Sequence, residues 1–249
     1  MHRTILAIGA LGLLGTSCAF AEDAVINART DRVSLFGVPF RCPAAPQIGC
    51  GSISKPILLE LERDSTISEA WLNRTGTVLG VVWSEAARSE STLEAAKSIF
   101  ETNGVPVSEL TGSAYTEQLK SFTTGTDWYR GSEVDTLSKI EARTIALRMV
   151  HRVQATVTLA PEKADALEAG IASVFEHRFN SSPNVAGPIC KREQLTEDIG
   201  AVARANLDEK GIAALEAAFA KGVKPLAEDN ETTKSKSAAP QCCNFSSKS

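Results

Sequence analysis

The chain has 249 residues, 26 of them basic and 30 acidic, a net charge of −4 and six cysteines. That length holds one or two domains with real cores. A mildly acidic chain without a cluster of Lys or Arg argues against nucleic acid as a partner.

Residues 1–21, MHRTILAIGALGLLGTSCAFA, carry an early positive charge, an apolar centre and Ala19-Phe20-Ala21 ahead of an acidic stretch. This is the pattern of a secretory signal peptide with an A-x-A cleavage site, and it predicts a periplasmic or secreted protein. A lipid anchor on Cys18 is not expected, because LGTSC lacks a bulky apolar residue three before the cysteine. No second long apolar run follows, so no membrane insertion is expected after signal cleavage. Cys42, Cys50, Cys190, Cys242 and Cys243 remain. They are odd in number, in a compartment where thiols usually pair.

Strands and helices then alternate. VSLFGVPFRC (33–42) reads as a strand, and KPILLELER (55–63) as a helix capped by Ser54 with Pro56 in its first turn. ISEAWLNR (67–74) alternates like a half-buried strand, and TVLGVVW (77–83) is a nearly continuous apolar one. Thr75-Gly76 joins them as a tight hairpin. STLEAAKSIFETNG (91–104) is a helix with Leu93, Ala96, Ile99 and Phe100 on one face and Asn103-Gly104 at its end. VPVSEL (105–110) is a last strand, placed at an edge by Pro106. The order β-α-β-β-α-β predicts a ferredoxin-like domain, a four-stranded antiparallel sheet with two helices on one face, over residues 33–111.

From residue 112 the apolar period is helical. Ala142, Ile145, Met149, Val153 and Val157 form one stripe, and Leu167, Ile171, Val174 and Phe175 a second. Leu195, Ile199 and Val202 form a third, and Ile212, Leu215, Phe219 and Val223 a fourth, started by Asp208 and stopped before Pro225. Each stripe needs a partner, so an antiparallel helical domain is expected over 112–226. NSSPNVAGPICKR (180–192) reads as a loop, and the polar stretch 227–249 as a disordered tail ending near Cys242-Cys243. The fold class is therefore α+β.

Residues 33–110 resemble a heavy-metal-associated domain, the small ferredoxin-like module of copper and mercury carriers. GCGS follows the first strand, as that family's metal loop does, and Ile67 lies 17 positions after Cys50, where the family opens its second strand with a β-branched residue. SEAWLNRTGT matches the style of the family's second strand and hairpin, and LEAAKSIFETNGVPV its second helix. The family's loop carries C-x-x-C. Cys50 takes the first position, Ile53 stands at the second, and Cys42 is the residue that could replace the missing thiolate. The resemblance implies Cys50 as the main metal ligand, Cys42 as the second, and a soft ion such as Cu(I) or Hg(II) as cargo. A tail ending in a vicinal cysteine pair is similar to the ion-passing tail of mercuric reductases, which implies a capture role for Cys242 and Cys243. No flavin or nucleotide fingerprint accompanies it.

Read from the residues alone, export favours a disulfide between Cys42 and Cys50; the pair could also hold a soft ion, and Cys50 or the tail pair could exchange with other thiols. Cys50 opens a helix, whose dipole stabilises a thiolate in any of these roles. Adjacent Cα atoms lie about 3.8 Å apart, too close for Cys242 and Cys243 to bridge each other easily. One of them could pair with Cys190. His151 and His177 sit in no metal-ligand spacing. Trp71, Trp83 and Trp128 read as core or interface anchors, and the carboxylates of the helices as solvated. No serine has a nucleophile context, so no enzyme is expected. These observations favour an exported soft-metal binding or transfer protein. Its rivals are a periplasmic protein–protein interaction module with structural disulfides, whose partner is another exported protein, and a thiol-disulfide redox protein.

Overall fold

The computed structural model describes residues 30–84, 89–180 and 192–229. The leader, Cys190, the tail, Cys242 and Cys243 lie outside them. Strand β1 (Val33–Gly37), helix α1 (Gly51–Leu61), β2 (Ile67–Asn73), β3 (Val78–Trp83), α2 (Glu90–Thr102) and β4 (Ser108–Glu109) follow one another in the expected order. After them come α3 (Gly112–Thr123), β5 (Trp128–Arg130), α4 (Asp135–Gln154), α5 (Pro161–Asn180), α6 (Arg192–Asn206) and α7 (Glu209–Ala220). The architecture is α+β, a sheet with helices followed by a helical region.

The sheet has five antiparallel strands in the order β4-β1-β3-β2-β5. The expectation of four is corrected by β5, which pairs Trp128, Tyr129 and Arg130 with Asn73, Leu72 and Trp71. A three-residue strand is too short to show a period in sequence. The strand expected over 105–110 shrinks to Ser108–Glu109.

Both faces of the sheet are covered. Phe36, Leu79, Val81 and Trp83 join α1, α2 and the later helices in one core. Val33, Leu35, Val78, Val82 and Trp128 form a second, smaller core on the other face, closed by Tyr115, Leu119 and Phe122 of α3. All six residues of β3 are therefore buried, which is why that strand reads as apolar without alternation. The alternation read for β2 is broken by a register shift between Ile67 and Glu69, which puts Ile67 in the same core as Ala70 and Leu72.

Local chemistry sets the ends. Ser89 and Thr92 form a reciprocal capping box at α2, and Gly104, at φ +66°, ends it. Asp208 caps α7 through the Gly211 N–H at 2.9 Å. Helix α1 starts at Gly51, with Cys50 and not Ser54 as its N-cap, so Pro56 lies inside it. Pro56 leaves the Ser52 carbonyl without a helical N–H. Ser54 instead turns its hydroxyl back to the Cys50 carbonyl at 2.9 Å.

Helices α4 and α5 pack along each other, α6 lies on α5, and α7 closes on both α4 and α6. The four expected stripes face inward: Ile145, Met149, Leu167, Phe175, Leu195, Ile199 and Leu215 are all buried. This helical core is continuous with that of the sheet, because α1 packs on α4. Among the described residues no helix is long and apolar enough to cross a membrane.

Candidate dithiol site

The loop from β1 to α1 doubles back on itself. Arg41 and Gly49 face each other as an antiparallel bridge, flanked by hydrogen bonds from Cys42 N–H to the Ile48 carbonyl (2.9 Å) and from Cys50 N–H to the Phe40 carbonyl (2.7 Å). The loop is fixed to the β2–β3 turn by Phe40 N–H to Gly76 (2.9 Å) and Gly49 N–H to Arg74 (2.7 Å). Gly76 sits at φ +67°, and a Cβ on it would come 2.5 Å from the Gly49 Cα. Two bare backbones are needed where these segments cross.

This ladder puts Cys42 and Cys50 on one face, since both are one residue beyond the bridging pair. Cys42 opposes residue 48, so Cys50 is its diagonal neighbour. In a regular ladder such neighbours have Cβ atoms about 7 Å apart or a little less. A disulfide needs about 3.5–4.5 Å. Both residues are thiols, not bridged, and buried at 0% and 1% exposure. Cys42 Sγ accepts the Ala45 N–H at 3.2 Å, and Cys50 Sγ lies 3.3 Å from Ser52 Oγ.

Helix α4 covers the pair. Gly51 permits the approach, because a Cβ there would sit 2.5 Å from Ser138 Oγ and also strike the Val134 carbonyl. One turn further along α4, Glu141 is buried at 0% exposure. Its two oxygens and Ser138 Oγ have no hydrogen-bond partner of ordinary geometry among the described residues. Burial pushes the Glu141 carboxyl up to about 7, and weak hydrogen bonds from the Cys42 and Cys50 thiols pull it part of the way back. Burial also pushes the Cys42 thiol well above its ordinary value, and Glu141 and Cys50 push it further. The site is thus two thiols and one carboxyl in a space sealed from water.

Two of the sequence-predicted ligands, Cys42 and Cys50, come together here. Cys242 and Cys243 lie outside the described residues, as does Cys190. His151 and His177 are exposed on α4 and α5. Trp83 is a core residue whose indole N–H reaches Ser34 Oγ at 3.0 Å, and Trp128 lies in the smaller core with its N–H 3.3 Å from Ser121 Oγ. Among the described residues no group of three or more His, Cys, Asp or Glu side chains is disposed to hold a metal ion.

Sequence reasoning missed Glu141, and the expectation that helical carboxylates are solvated is corrected by it. The available signal was its place in the apolar row: Glu141 lies one turn after Leu137 and one before Ile145, both buried. A solvated residue does not belong in that row. Comparison of the chain with protein-family models, curated proteins and solved structures finds no match to any of them.

Proposed function

We propose that this protein is an exported, non-enzymatic carrier of a soft, thiophilic metal ion, held between Cys42 and Cys50. The observation that carries the proposal is the placement of the two thiols. They lie on one face of the loop ladder, as diagonal neighbours, and both turn to Glu141. In a regular ladder diagonal neighbours stand farther apart than a relaxed disulfide asks, and the two residues are free thiols. An ion between two sulfurs, at about 2.3 Å from each as in Zn–S bonds, spans a wider gap. The thiolate is the ligand that soft ions prefer, and Cys50 opens helix α1, whose dipole favours its ionised form.

The scaffold supports the same reading. The order β-α-β-β-α-β with central strands β1 and β3 is that of a ferredoxin-like unit, and the resemblance to heavy-metal-associated domains rests on that unit. One departure bears on mechanism: α4 lies over the thiols, so loading and release require α4 or the loop to move. Cys242 and Cys243 serve in this proposal as a capture pair that delivers the ion.

The test is ion retention. Reduced protein is loaded anaerobically with Hg(II) or Cu(I) and passed through a desalting column. Cys42→Ser or Cys50→Ser should each lose one ion per chain. Cys242→Ser with Cys243→Ser should slow loading and leave the fold intact. Retention unchanged by loss of Cys42 and of Cys50 overturns the proposal. A native thiol count that finds Cys42 joined to Cys50 would instead favour the interaction module with structural disulfides.

A further inference from the structure

Helices α6 and α7 are joined by Leu207 and Asp208, and a groove of about 400 Å³ runs between them. Its floor is Ile199, Ala203 and Leu215, all buried, and Ile212 and Phe219 are its half-buried walls. Gly200 adds no side chain, so a neighbouring helix can come close. The outward face of α7 is poor in charge. From Gly211 to Ala220 its sole charged residue is Glu216. Ala213, Glu216, Ala217 and Ala220 are exposed and recur at helical spacing. A solvated helix face ordinarily carries polar and charged residues, and this one is three alanines and one acid.

Two charges line the groove, Arg204 on α6 and Glu216 on α7. Other charges of these helices and their flanks are paired, Asp198 with Arg178 and Lys221 with Glu228 at 2.6 Å. Arg204 and Glu216 form no ion pair among the described residues. Opposite signs on the two sides of one groove are self-complementary: a copy turned about a two-fold axis brings Glu216 to Arg204 and Arg204 to Glu216. The small-residue face that would fit an apolar groove lies on α7 itself, beside that groove. A patch and its complement on one surface are what an isologous contact requires.

We propose that the α6–α7 surface docks a second copy of this chain, with each α7 seated in the other's groove and two Arg204–Glu216 pairs across the two-fold axis. The four helices then form a bundle shared by the two copies. This dimer is independent of the dithiol site, and it is measured on reduced, metal-free protein. Sedimentation velocity on the full chain, over a concentration series, reads the association. Two short helices a side make a small interface, so a dissociation constant of about 10 μM is expected. Arg204→Glu and Glu216→Arg each place like charges together twice, and each should weaken the dimer by about tenfold or more. The double variant restores opposite charges and should return the constant to within about threefold of the parent's. Circular dichroism checks that each variant is folded. A parent that stays monomeric at about 100 μM overturns the proposal. So does a dimer indifferent to both single variants, or one that the folded double variant fails to restore. A parent that dimerises only when residues 230–249 are removed assigns the groove to the chain's own tail and overturns it too.

Discussion

Helix α4 carries two buried polar clusters, one near each end, and they are built on opposite rules. Near its C-terminus, Arg152 makes a two-pronged contact with Asp229 (2.8 and 2.6 Å) and donates to the carbonyls of Gly222 (2.6 Å) and Lys224 (2.9 Å). Arg148 donates to the Val223 carbonyl, and Asp229 also accepts the Leu226 N–H at 2.7 Å. Burial alone would raise Asp229, but these hydrogen bonds and the two guanidinium charges hold it below the ordinary aspartate range. The arginines thereby finish the C-terminal end of α7 and tie the segment after it to α4. Near the other end, Glu141 has two weak thiol donors and no hydrogen-bond partner of ordinary geometry among the described residues. A satisfied network is architecture. A buried carboxyl left beside two thiols is a cost that folding alone does not explain, and that contrast is why the proposed function is placed at the dithiol cluster.

The comparison is broken most forcefully at the arginine end. Asp229→Ala leaves two buried guanidinium groups without their acid and should destabilise the protein by about 3–5 kcal/mol. Urea unfolding followed by circular dichroism measures it. A loss below about 1 kcal/mol would place Asp229 among ordinary exposed ion pairs.

At the other end the largest effect is on pH dependence. Glu141 titrates at 4.5 when unfolded and at about 7 when folded. Between those values the native, metal-free protein keeps a proton that the unfolded chain has lost. The contribution of Glu141 to stability should therefore be largest below pH 4.5, fall by about 3 kcal/mol as the pH rises through 7, and stay level above, whereas that of Asp229 is lost as the pH falls through its depressed value. Glu141→Gln should remove that fall, so its unfolding midpoint exceeds the parent's at pH 8. Parallel profiles for parent and variant would contradict the burial of an ionisable Glu141.

A smaller effect sharpens the link between the two regions. Gly51→Ala drives a methyl into Ser138 Oγ and the Val134 carbonyl, and should cost about 1–3 kcal/mol as α1 and α4 separate. Thiol reactivity of Cys42 and Cys50 should rise with it, measured with a chromogenic disulfide reagent on the native protein. Unchanged reactivity would mean that α4 does not cover the pair.

Much of the frame was legible in sequence because it is written in periodicity. The β-α-β-β-α-β order, the end of α2 at Asn103-Gly104, the start of α7 at Asp208 and the inward rows on α4 to α7 all follow from spacing. The hairpin at Gly76 follows from a single glycine that needs positive φ. The start of α1 was legible only in part: Cys50 was read as opening a helix, but Ser54 and Pro56 imitate an entry four residues later. The second face of the sheet was not legible: Tyr115, Leu119 and Phe122 show a stripe, but nothing local says that it closes on β1 and β3. Two of the three groups of the candidate site, Cys42 and Cys50, stood out by residue type. Glu141 did not, because its burial is imposed by the approach of α4 to Gly51, a contact between positions far apart in the chain.

The central claim is that Cys42 and Cys50 together hold one soft ion, and X-ray absorption on the Hg(II)-loaded protein tests it most directly. With Cys18, Cys190, Cys242 and Cys243 changed to Ser, the account predicts one ion per chain with two sulfur neighbours, lost when either remaining cysteine is also replaced. An ion bound through one sulfur, or one that survives the loss of Cys42 or Cys50 with its neighbours unchanged, would contradict it.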